Sequence, residues 1–369
     1  MKIAYFIGSL NRGGLENLVL DVCRQHDDAQ YQMICVYRHG GNMTVNFQQS
    51  GVPLIHVDKE HGILRHLWNL RKVLLCENVD IVHSQSAIGT ILLAFALIGT
   101  RIKIITSFHG NLFADASWWK RELVYKVSKK IICVSEYQKD YYEQKWHLPK
   151  KNKLQVVYNG IDFSKIERAQ AHSVLKEKKR CQLAMVGNFI KGRSQVIIVK
   201  AVKFLKEIGN ADFDLFFIGR RDELETWRYD NCVQYCEEHH LDNIHFLGSR
   251  GDVPELLKTM DGFVYSTEHD TFGIAVIEAI AAGLPIVVND WPVMKEVCNI
   301  GLPKDNNAIR FFKTDDVEDC AKVISALLQD LNNSKSLLST YCNTAANAVK
   351  QKYSIQKHIE NVYNIYVTL

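Results

Sequence analysis

Two carboxylates, Asp270 and Glu278, lie eight residues apart in the sequence, and an apolar segment surrounds the second. The segment IAVIEAIAAG (274–283) predicts a buried helix, in which an unpaired carboxylate would be costly. Glu278 is therefore expected to face solvent or to bind a partner, and a pair of ribose hydroxyls would suit it. Phe272 and Gly273 precede this helix, whose free N-terminal amides favour an anion such as phosphate.

A basic loop, VGNFIKGRSQ (186–195), lies at the end of the predicted strand QLAMVGNF (182–189). It contains Lys191 and Arg193, just ahead of a predicted helix that begins at Ser194. Cations held beside the start of a helix suit a diphosphate. Taken alone, the same pattern is equally typical of a solvated basic surface loop, and the phosphate interpretation rests on the second anion-favouring element at Gly273.

Two further loops in the first half carry residues that could contact a ligand. Gly13 and Gly14 open a predicted helix and would let backbone amides approach a phosphate or sugar, although a plain tight turn is the alternative. His109 lies at the end of the predicted strand IKIITSFHG (102–110), where either a ligand contact or a structural role fits. For His83, at the end of another predicted strand, the structural role is favoured.

These loops belong to a pattern of short apolar strands separated by amphipathic helices, which predicts parallel α/β sheets. The pattern pauses in the polar segment 163–180 and then restarts. We therefore predict two doubly wound Rossmann-like domains, 1–162 and 163–348, that face each other across a cleft. Residues 349–369 are predicted to form a C-terminal helix that packs back on the first domain. Ligands of such sheets bind beyond the carboxyl ends of the strands.

Composition agrees with this plan. The chain has 369 residues, 47% hydrophobic and 23% charged, which fits two globular domains. Its ten Cys are scattered rather than arranged as a disulfide framework or a metal-binding set, which favours a reducing cytoplasm. Residues 1–160 carry a net charge of +7 and the remainder −3, so the first half is expected to meet an anionic membrane or a phosphorylated substrate. Nothing in the pattern points to nucleic acid.

Several motifs occur in a characteristic order, namely SFHG, VVYNGID, MVGNF, IHFLGSRGDVPELL and STEHDTFGIAVIEAIAAGLPIVVND. Together they resemble the retaining family-4 glycosyltransferases, which have the two-domain GT-B fold. The last motif corresponds to the family's pair of acids separated by seven residues. The resemblance covers nearly the whole chain.

The resemblance implies a site for a nucleotide-sugar. In the first half, Gly13 and Gly14 would offer a backbone amide to the sugar diphosphate, and His109 would lie beside the donor sugar and the acceptor. In the second half, Arg250 lies in the segment 249–252, which is expected beside the base.

For the second half, the resemblance implies a separate role for each part of the motif STEHDTFGIAVIEAIAAGLPIVVND. Glu278 would bind the ribose hydroxyls. The turn at Phe272, with the amides of Gly273 and Ile274, would hold the distal phosphate. Asp270 would contact the transferred sugar. His109, Asp270 and Glu278 are the predicted catalytic residues.

The sequence departs from the family pattern at two places. Asp270 replaces a Glu, and Glu268 is a nearby rival for the same role. Asn188 stands where the family has an Arg. Either Lys191 or Arg193 would hold the diphosphate, and we favour Arg193 because a guanidinium can grip phosphate oxygens bidentately.

The activity implied is transfer of a hexose-type sugar with retention at the anomeric carbon, to a saccharide acceptor that is expected to be lipid-linked, in cell-surface polysaccharide synthesis. No cofactor and no metal are expected. Cations and helix amides would instead stabilise the leaving diphosphate. The alternatives are a nucleotide-sugar 2-epimerase of the same fold and a non-catalytic nucleotide-sugar-binding scaffold. A dehydrogenase is disfavoured because the dinucleotide fingerprint is missing.

The enzyme is expected in the cytoplasm, peripherally on the inner face of the cell membrane. The predicted helix 118–129 and the residue after it mix aromatic and basic side chains, as helices at membrane interfaces do. The alternative is that the tryptophans belong to the core and the cations are merely solvated. The residues concerned are Trp118, Trp119, Lys120, Arg121, Lys126, Lys129 and Lys130.

Overall fold

The computed structural model describes residues 1–59, 62–110, 115–147, 153–171 and 180–369. The chain divides into two compact units. Unit 1 comprises Met1–Asp162 together with Tyr353–Leu369, and unit 2 comprises Phe163–Lys352. Both units contain a parallel sheet with helices between successive strands, which confirms the prediction of two Rossmann-like domains.

The sheet of unit 1 has seven strands in the order β3-β2-β1-β4-β5-β6-β7. The strands are β1 (Lys2–Ser9), β2 (Gln32–His39), β3 (Leu54–His56), β4 (Ile81–Ser84), β5 (Lys103–Phe108), β6 (Ser128–Cys133) and β7 (Leu154–Val156). The helices are α1 (Gly14–Gln25), α2 (Thr44–Gln48), α3 (Ile63–Cys76), α4 (Ala87–Ala96), α5 (Trp118–Val127), α6 (Glu136–Trp146) and, at the end of the chain, α15 (Ile355–Val367).

Alternate residues of β1 enter two different cores, because successive side chains of a strand point to opposite faces. Tyr5 belongs to the cluster that includes side chains of α1 and α15. Phe6 belongs to the cluster that includes side chains of α3 and α4. The sheet is thus covered on both sides, as its near-continuous apolar strands require.

The last helix, α15, is joined to the sheet by a buried polar chain. Tyr366 donates its hydroxyl to Tyr5 (3.0 Å) and bonds His83 Nδ1 at 2.6 Å, while His83 Nε2 bonds the Ser107 hydroxyl at 2.7 Å. Both ring nitrogens of His83 are therefore used inside the core, and burial lowers its pKa well below the usual value. This confirms the structural role favoured for His83.

The sheet of unit 2 has six strands in the order β10-β9-β8-β11-β12-β13. The strands are β8 (Cys181–Val186), β9 (Phe213–Ile218), β10 (Ile244–Gly248), β11 (Gly262–Tyr265), β12 (Ile286–Asn289) and β13 (Ile309–Phe312). The helices are α7 (Ser164–Arg168), α8 (Gln195–Glu207), α9 (Trp227–Glu238), α10 (Val253–Thr259), α11 (Ile274–Ala281), α12 (Pro292–Cys298), α13 (Val317–Asn333) and α14 (Lys335–Tyr353).

One element differs from the sequence-based prediction. The apolar run KIICVSEY (130–137) predicts a strand throughout, but β6 ends at Cys133 and α6 begins at Glu136. Ser135 accepts a hydrogen bond from the Gln138 amide (3.1 Å), and the Gln138 side chain accepts one from the amide of Val134 (2.8 Å). A Ser followed three residues later by Gln is a helix-start signal, so the sequence did contain the information.

The helix expected over 118–129 ends at Val127, so Lys129 and Lys130 belong to β6. Part of the segment predicted to connect the two domains, residues 172–179, lies outside the described residues. In the described part of the chain, no helix is both long and apolar enough to cross a membrane.

Candidate functional site

Two loops of unit 2 meet because their strands are neighbours. Strand β8 pairs with β11, so the loops that follow them leave the sheet side by side at its carboxyl edge. The Gly192 carbonyl accepts hydrogen bonds from the Thr267 hydroxyl (2.8 Å) and the Glu268 amide (2.9 Å). The basic loop and the first part of the acid-containing motif are thereby held together, although they are far apart in sequence.

Arg193 and Asp270 form an ion pair at this junction. Arg193 Nη1 lies 2.9 Å from Asp270 Oδ2, with side chains only 21% and 13% exposed. Tyr265 donates its hydroxyl to the same carboxylate oxygen, and its ring lies beneath the guanidinium at 5.1 Å. Burial raises the pKa of Asp270, and Arg193 opposes that rise. Tyr265 was not predicted, although it ends β11 five residues before Asp270.

The two alternative residues, Lys191 and Glu268, contact other groups. The Lys191 side chain is exposed, and its backbone amide donates to Glu225 at 2.8 Å. Glu268 accepts a hydrogen bond from the Ser194 hydroxyl. The geometry therefore groups Arg193 with Asp270 and leaves Lys191 and Glu268 outside that pair.

Helix α11 begins at the same edge with a glycine that cannot be replaced without strain. Gly273 has φ +84°, and a Cβ there would lie 2.6 Å from Met294 Cε. A glycine N-cap has no side chain to bond the first amides of the helix, which leaves them for an anion. Phe272 is buried just before it, and Ile274 is the first helical residue. Glu278 is half-buried on the same helix.

The remaining predicted residues of unit 2 have partners that the sequence did not reveal. Asn188 accepts a hydrogen bond from the Arg220 amide at 3.0 Å and so joins the loops after β8 and β9. The Arg250 guanidinium pairs with both oxygens of Asp252, at 2.8 and 2.6 Å. Arg250 is nevertheless exposed, so its side chain remains accessible to solvent.

In unit 1, Gly13 is the N-cap of α1 and Gly14 its first residue. A Cβ at Gly13 would lie 2.5 Å from Glu16 Oε2, so the Glu16 carboxylate is packed against this turn. Burial raises the pKa of Glu16. The contact is made by the end of a flexible side chain, and the backbone of Gly13 is extended, so the structure does not require glycine at position 13. Glu16 was not among the predicted site residues.

His109 and Gln85 form a pair at the carboxyl edge of unit 1, where β4 and β5 are neighbours. His109 Nε2 lies 3.0 Å from Gln85 Oε1. Burial, with a smaller contribution from His358, lowers the pKa of His109 to about 3, so the ring is neutral at physiological pH. With Nε2–H donated to Gln85, Nδ1 carries the ring's lone pair. Gln85 is buried and was not predicted, although it follows β4 directly.

Family models match the two halves of the chain. Residues 12–165 match the model described as Glycosyltransferase Family 4, and residues 167–341 match Glycosyl transferases group 1. The chain belongs to the family-4 glycosyltransferases. The resemblance in the motifs is confirmed, and so is the assignment as a glycosyltransferase.

Solved structures show that this glycosyltransferase has the GT-B fold. The Anabaena protein HepE, in complex with UDP and glucose, superposes with a TM-score of 0.85 at 16% identity, covering 100% of both chains. A glycosyltransferase from Rickettsia africae gives a TM-score of 0.83 at 19% identity, covering 99% of this chain and 97% of that one.

Curated relatives of the glycosyltransferase align over most of its length. An Escherichia coli UDP-Gal:alpha-D-GlcNAc-diphosphoundecaprenol alpha-1,3-galactosyltransferase is 25% identical, with 83% of this chain and 80% of that protein covered. A Campylobacter jejuni N,N'-diacetylbacillosaminyl-diphospho-undecaprenol alpha-1,3-N-acetylgalactosaminyltransferase is 26% identical, with 79% and 80% covered.

In the glycosyltransferase, no described group of three or more His, Cys, Asp or Glu side chains could hold a metal ion. The predicted independence of metal ions stays a prediction.

The pair of Gln85 and His109 gives a testable pH dependence. Replacing Gln85→Glu places a carboxylate beside the imidazole, which favours its charged form and raises the pKa of His109 by about 1 to 3 pH units. We expect kcat/KM of this variant to fall as the pH is lowered and His109 becomes charged. The wild type should show no such fall above about pH 4. Gln85→Leu, which removes the hydrogen bond without adding charge, should lower the rate without adding this fall at low pH. Superimposable profiles for the wild type and Gln85→Glu would contradict the expectation.

Proposed function

We propose that this glycosyltransferase moves a hexose-type sugar from a nucleotide-sugar to a lipid-linked saccharide, with retention and without a metal ion, in cell-surface polysaccharide synthesis. The observation that carries the proposal is the junction of unit 2, where Arg193, Asp270 and the uncapped start of α11 lie on neighbouring loops. The two relatives named for diphosphoundecaprenol acceptors support the lipid-linked acceptor. HepE, solved with UDP, supports the nucleotide-sugar donor.

In this mechanism the acceptor hydroxyl attacks the anomeric carbon on the face from which the diphosphate departs. A bond forms between the acceptor oxygen and the anomeric carbon, the bond to the diphosphate oxygen breaks, and the hydroxyl proton passes to that leaving oxygen. Arg193 and the amides at the start of α11 stabilise the negative charge that develops on the diphosphate.

Other residues orient the reactants. Glu278 receives the ribose hydroxyls, and Asp270 contacts the transferred sugar while it holds Arg193 in place. In unit 1, neutral His109 offers an uncharged hydrogen-bonding group to the sugar or the acceptor. Arg250 lies beside the base, and the amides of Gly13 and Gly14 approach the sugar diphosphate.

A two-stage experiment tests the proposed function. A panel of nucleotide-sugars is first screened by thermal shift, because a ligand at a hundredfold its Kd adds about 2.7 kcal/mol to the free energy of unfolding. The donor that raises Tm is then incubated with diphosphoundecaprenol-linked saccharides, with and without EDTA. We expect an acceptor-dependent product with the donor's anomeric configuration, formed at the same rate in EDTA.

Each alternative predicts a different result. An epimerised sugar that appears without acceptor would identify a 2-epimerase. Tight donor binding without turnover on any acceptor would identify a scaffold. If no nucleotide-sugar raises Tm, the donor assignment is wrong.

We also propose that the enzyme works at the cytoplasmic face of the membrane, where a lipid-linked acceptor is presented. The prediction that Trp118 and Trp119 lie at an interface gains support from their positions, because both side chains are exposed. The alternative that these tryptophans belong to the core is wrong.

A further inference from the structure

Three neighbouring helices of unit 1 expose large apolar side chains to solvent. Helix α4 packs between α3 and α5, and Arg71 of α3 donates to the carbonyls of Ala96 (3.0 Å) and Ile98 (2.7 Å) at the end of α4. The outward sides of α3, α4 and α5, here called the apolar face, carry eight such residues: Ile63, Leu64, Trp68, Leu75, Ile88, Phe95, Trp118 and Trp119. Leu64 is 80% exposed and Trp118 is 73% exposed.

These exposed side chains are not part of the hydrophobic core. The inward sides of α3 and α4 supply Leu70, Leu74 and Leu93 to the cluster under the sheet, and those residues are fully buried. Exposed apolar residues spread singly over a surface need no explanation, but a group on adjacent helices marks an interaction site.

The charged residues of these three helices are mostly basic. The sequences of α3, α4 and α5 contain six Lys and Arg residues and one acid, Glu122, and α4 contains no charged residue. Lys72 Nζ lies 5.4 Å from the ring centre of Trp68, and Lys120 Nζ lies 5.5 Å from that of Trp119. An uncharged helix is thus flanked by two helices that pair cations with aromatic rings.

We propose that the apolar face docks on a bilayer of anionic phospholipids. Tryptophan rings favour the headgroup level of a bilayer, and lysine and arginine are attracted to anionic lipid headgroups. A symmetric dimer through the same face would instead place the basic residues of one copy against those of the other, which is unfavourable. The inference deepens the proposed function and rests on it in one respect: the lipid-linked acceptor would lie in the membrane that the face contacts.

Vesicle co-sedimentation of the full chain tests the charge contribution. Phosphatidylcholine vesicles with and without phosphatidylglycerol are compared for the wild type and for the triple variant Arg65→Gln, Lys72→Gln, Lys120→Gln. Each cation near an anionic surface contributes about fivefold to the partition coefficient, so we expect a loss of about a hundredfold. The wild type should bind phosphatidylglycerol vesicles strongly and pure phosphatidylcholine vesicles weakly.

A matched pair of tryptophan variants tests the location. Trp227 of unit 2 is exposed and has Arg228 over its ring at 4.3 Å, so it shares the chemistry of Trp68 but lies outside the apolar face. We expect Trp68→Ser to weaken vesicle binding at least fivefold and Trp227→Ser to leave it unchanged, with about fivefold corresponding to 1 kcal/mol. Equal effects of the two variants, or equal binding of the wild type to both kinds of vesicle, would overturn the proposal.

Two further measurements separate this proposal from competing explanations. If the chain sediments as a dimer that Trp118→Ser converts to a monomer, the face is a self-interface and the proposal is overturned. Transfer to a short-chain, water-soluble acceptor reports on the proposed function alone. Transfer without vesicle binding would defeat only the membrane proposal, whereas vesicle binding without transfer to any acceptor would defeat only the proposed function.

Discussion

Replacing Arg193→Ala should lower kcat by about 10²- to 10³-fold, the loss typical when one preorganised group that stabilises developing charge is removed. Arg193 is the half-buried cation that the structure places against Asp270 and the Tyr265 ring. Without it, the amides at the start of α11 remain at this junction to stabilise the departing diphosphate. Single-turnover kinetics with saturating donor would measure the chemical step directly.

Lys191→Ala is the matched control, because it removes a cation two residues away on the same loop. Its side chain is exposed, and its backbone contact to Glu225 survives the substitution. We expect kcat to change by less than about threefold, the scale of a surface charge. Arg193→Lys should be intermediate, because an ammonium keeps the charge but loses the planar fork. A large loss in Lys191→Ala with a small one in Arg193→Ala would assign the diphosphate to Lys191.

Replacing Asp270→Asn should cost more activity than Glu268→Gln. The Asp270 carboxylate holds Arg193 and accepts the Tyr265 hydroxyl, so its loss removes a sugar contact and frees the cation. Hydrogen bonds to charged groups contribute about 1.5 to 3 kcal/mol each, so a fall in kcat/KM of about 10²-fold or more is expected. Steady-state kinetics over a range of donor concentrations would measure it.

Glu268→Gln provides the comparison within the same turn. A glutamine at this position can still accept the Ser194 hydroxyl, and the backbone bond from residue 268 to Gly192 is unaffected. We expect a change in kcat/KM of less than about fivefold, on the scale of one neutral hydrogen bond. If only the Glu268→Gln variant loses transfer, Glu268 rather than Asp270 corresponds to the first acid of the family's pair, and Glu268 contacts the sugar.

The parts of the fold that the sequence predicted well depend on local pattern. Runs such as IAYFI and PIVVN are apolar on both sides of the strand, which is typical of a strand covered by helices on both faces. The sequence also contained the signal for the start of α6, in Ser135 and Gln138. The strand predicted from the apolar run 130–137 nevertheless extended past it.

The pairing of side chains could not be predicted in the same way. Lys191 and Arg193 have similar chemistry and lie in one loop, so composition does not separate them. The direction of each side chain does separate them, because Arg193 packs on Tyr265 whereas Lys191 faces solvent. The contact between His109 and Gln85 likewise depends on β4 lying beside β5.

By itself, the sequence determined that this protein has two parallel α/β domains, that its ligand loops follow the strands, and that it resembles the family-4 glycosyltransferases. These properties follow from hydrophobic period and from motifs that are continuous in the chain. Only the tertiary structure decided that Arg193 meets Asp270 and that three helices of unit 1 share an exposed apolar face. Both depend on which strands and helices become neighbours, as when β8 pairs with β11 across two intervening strands in the sequence. That order is set by the packing of the whole sheet and not by any local segment.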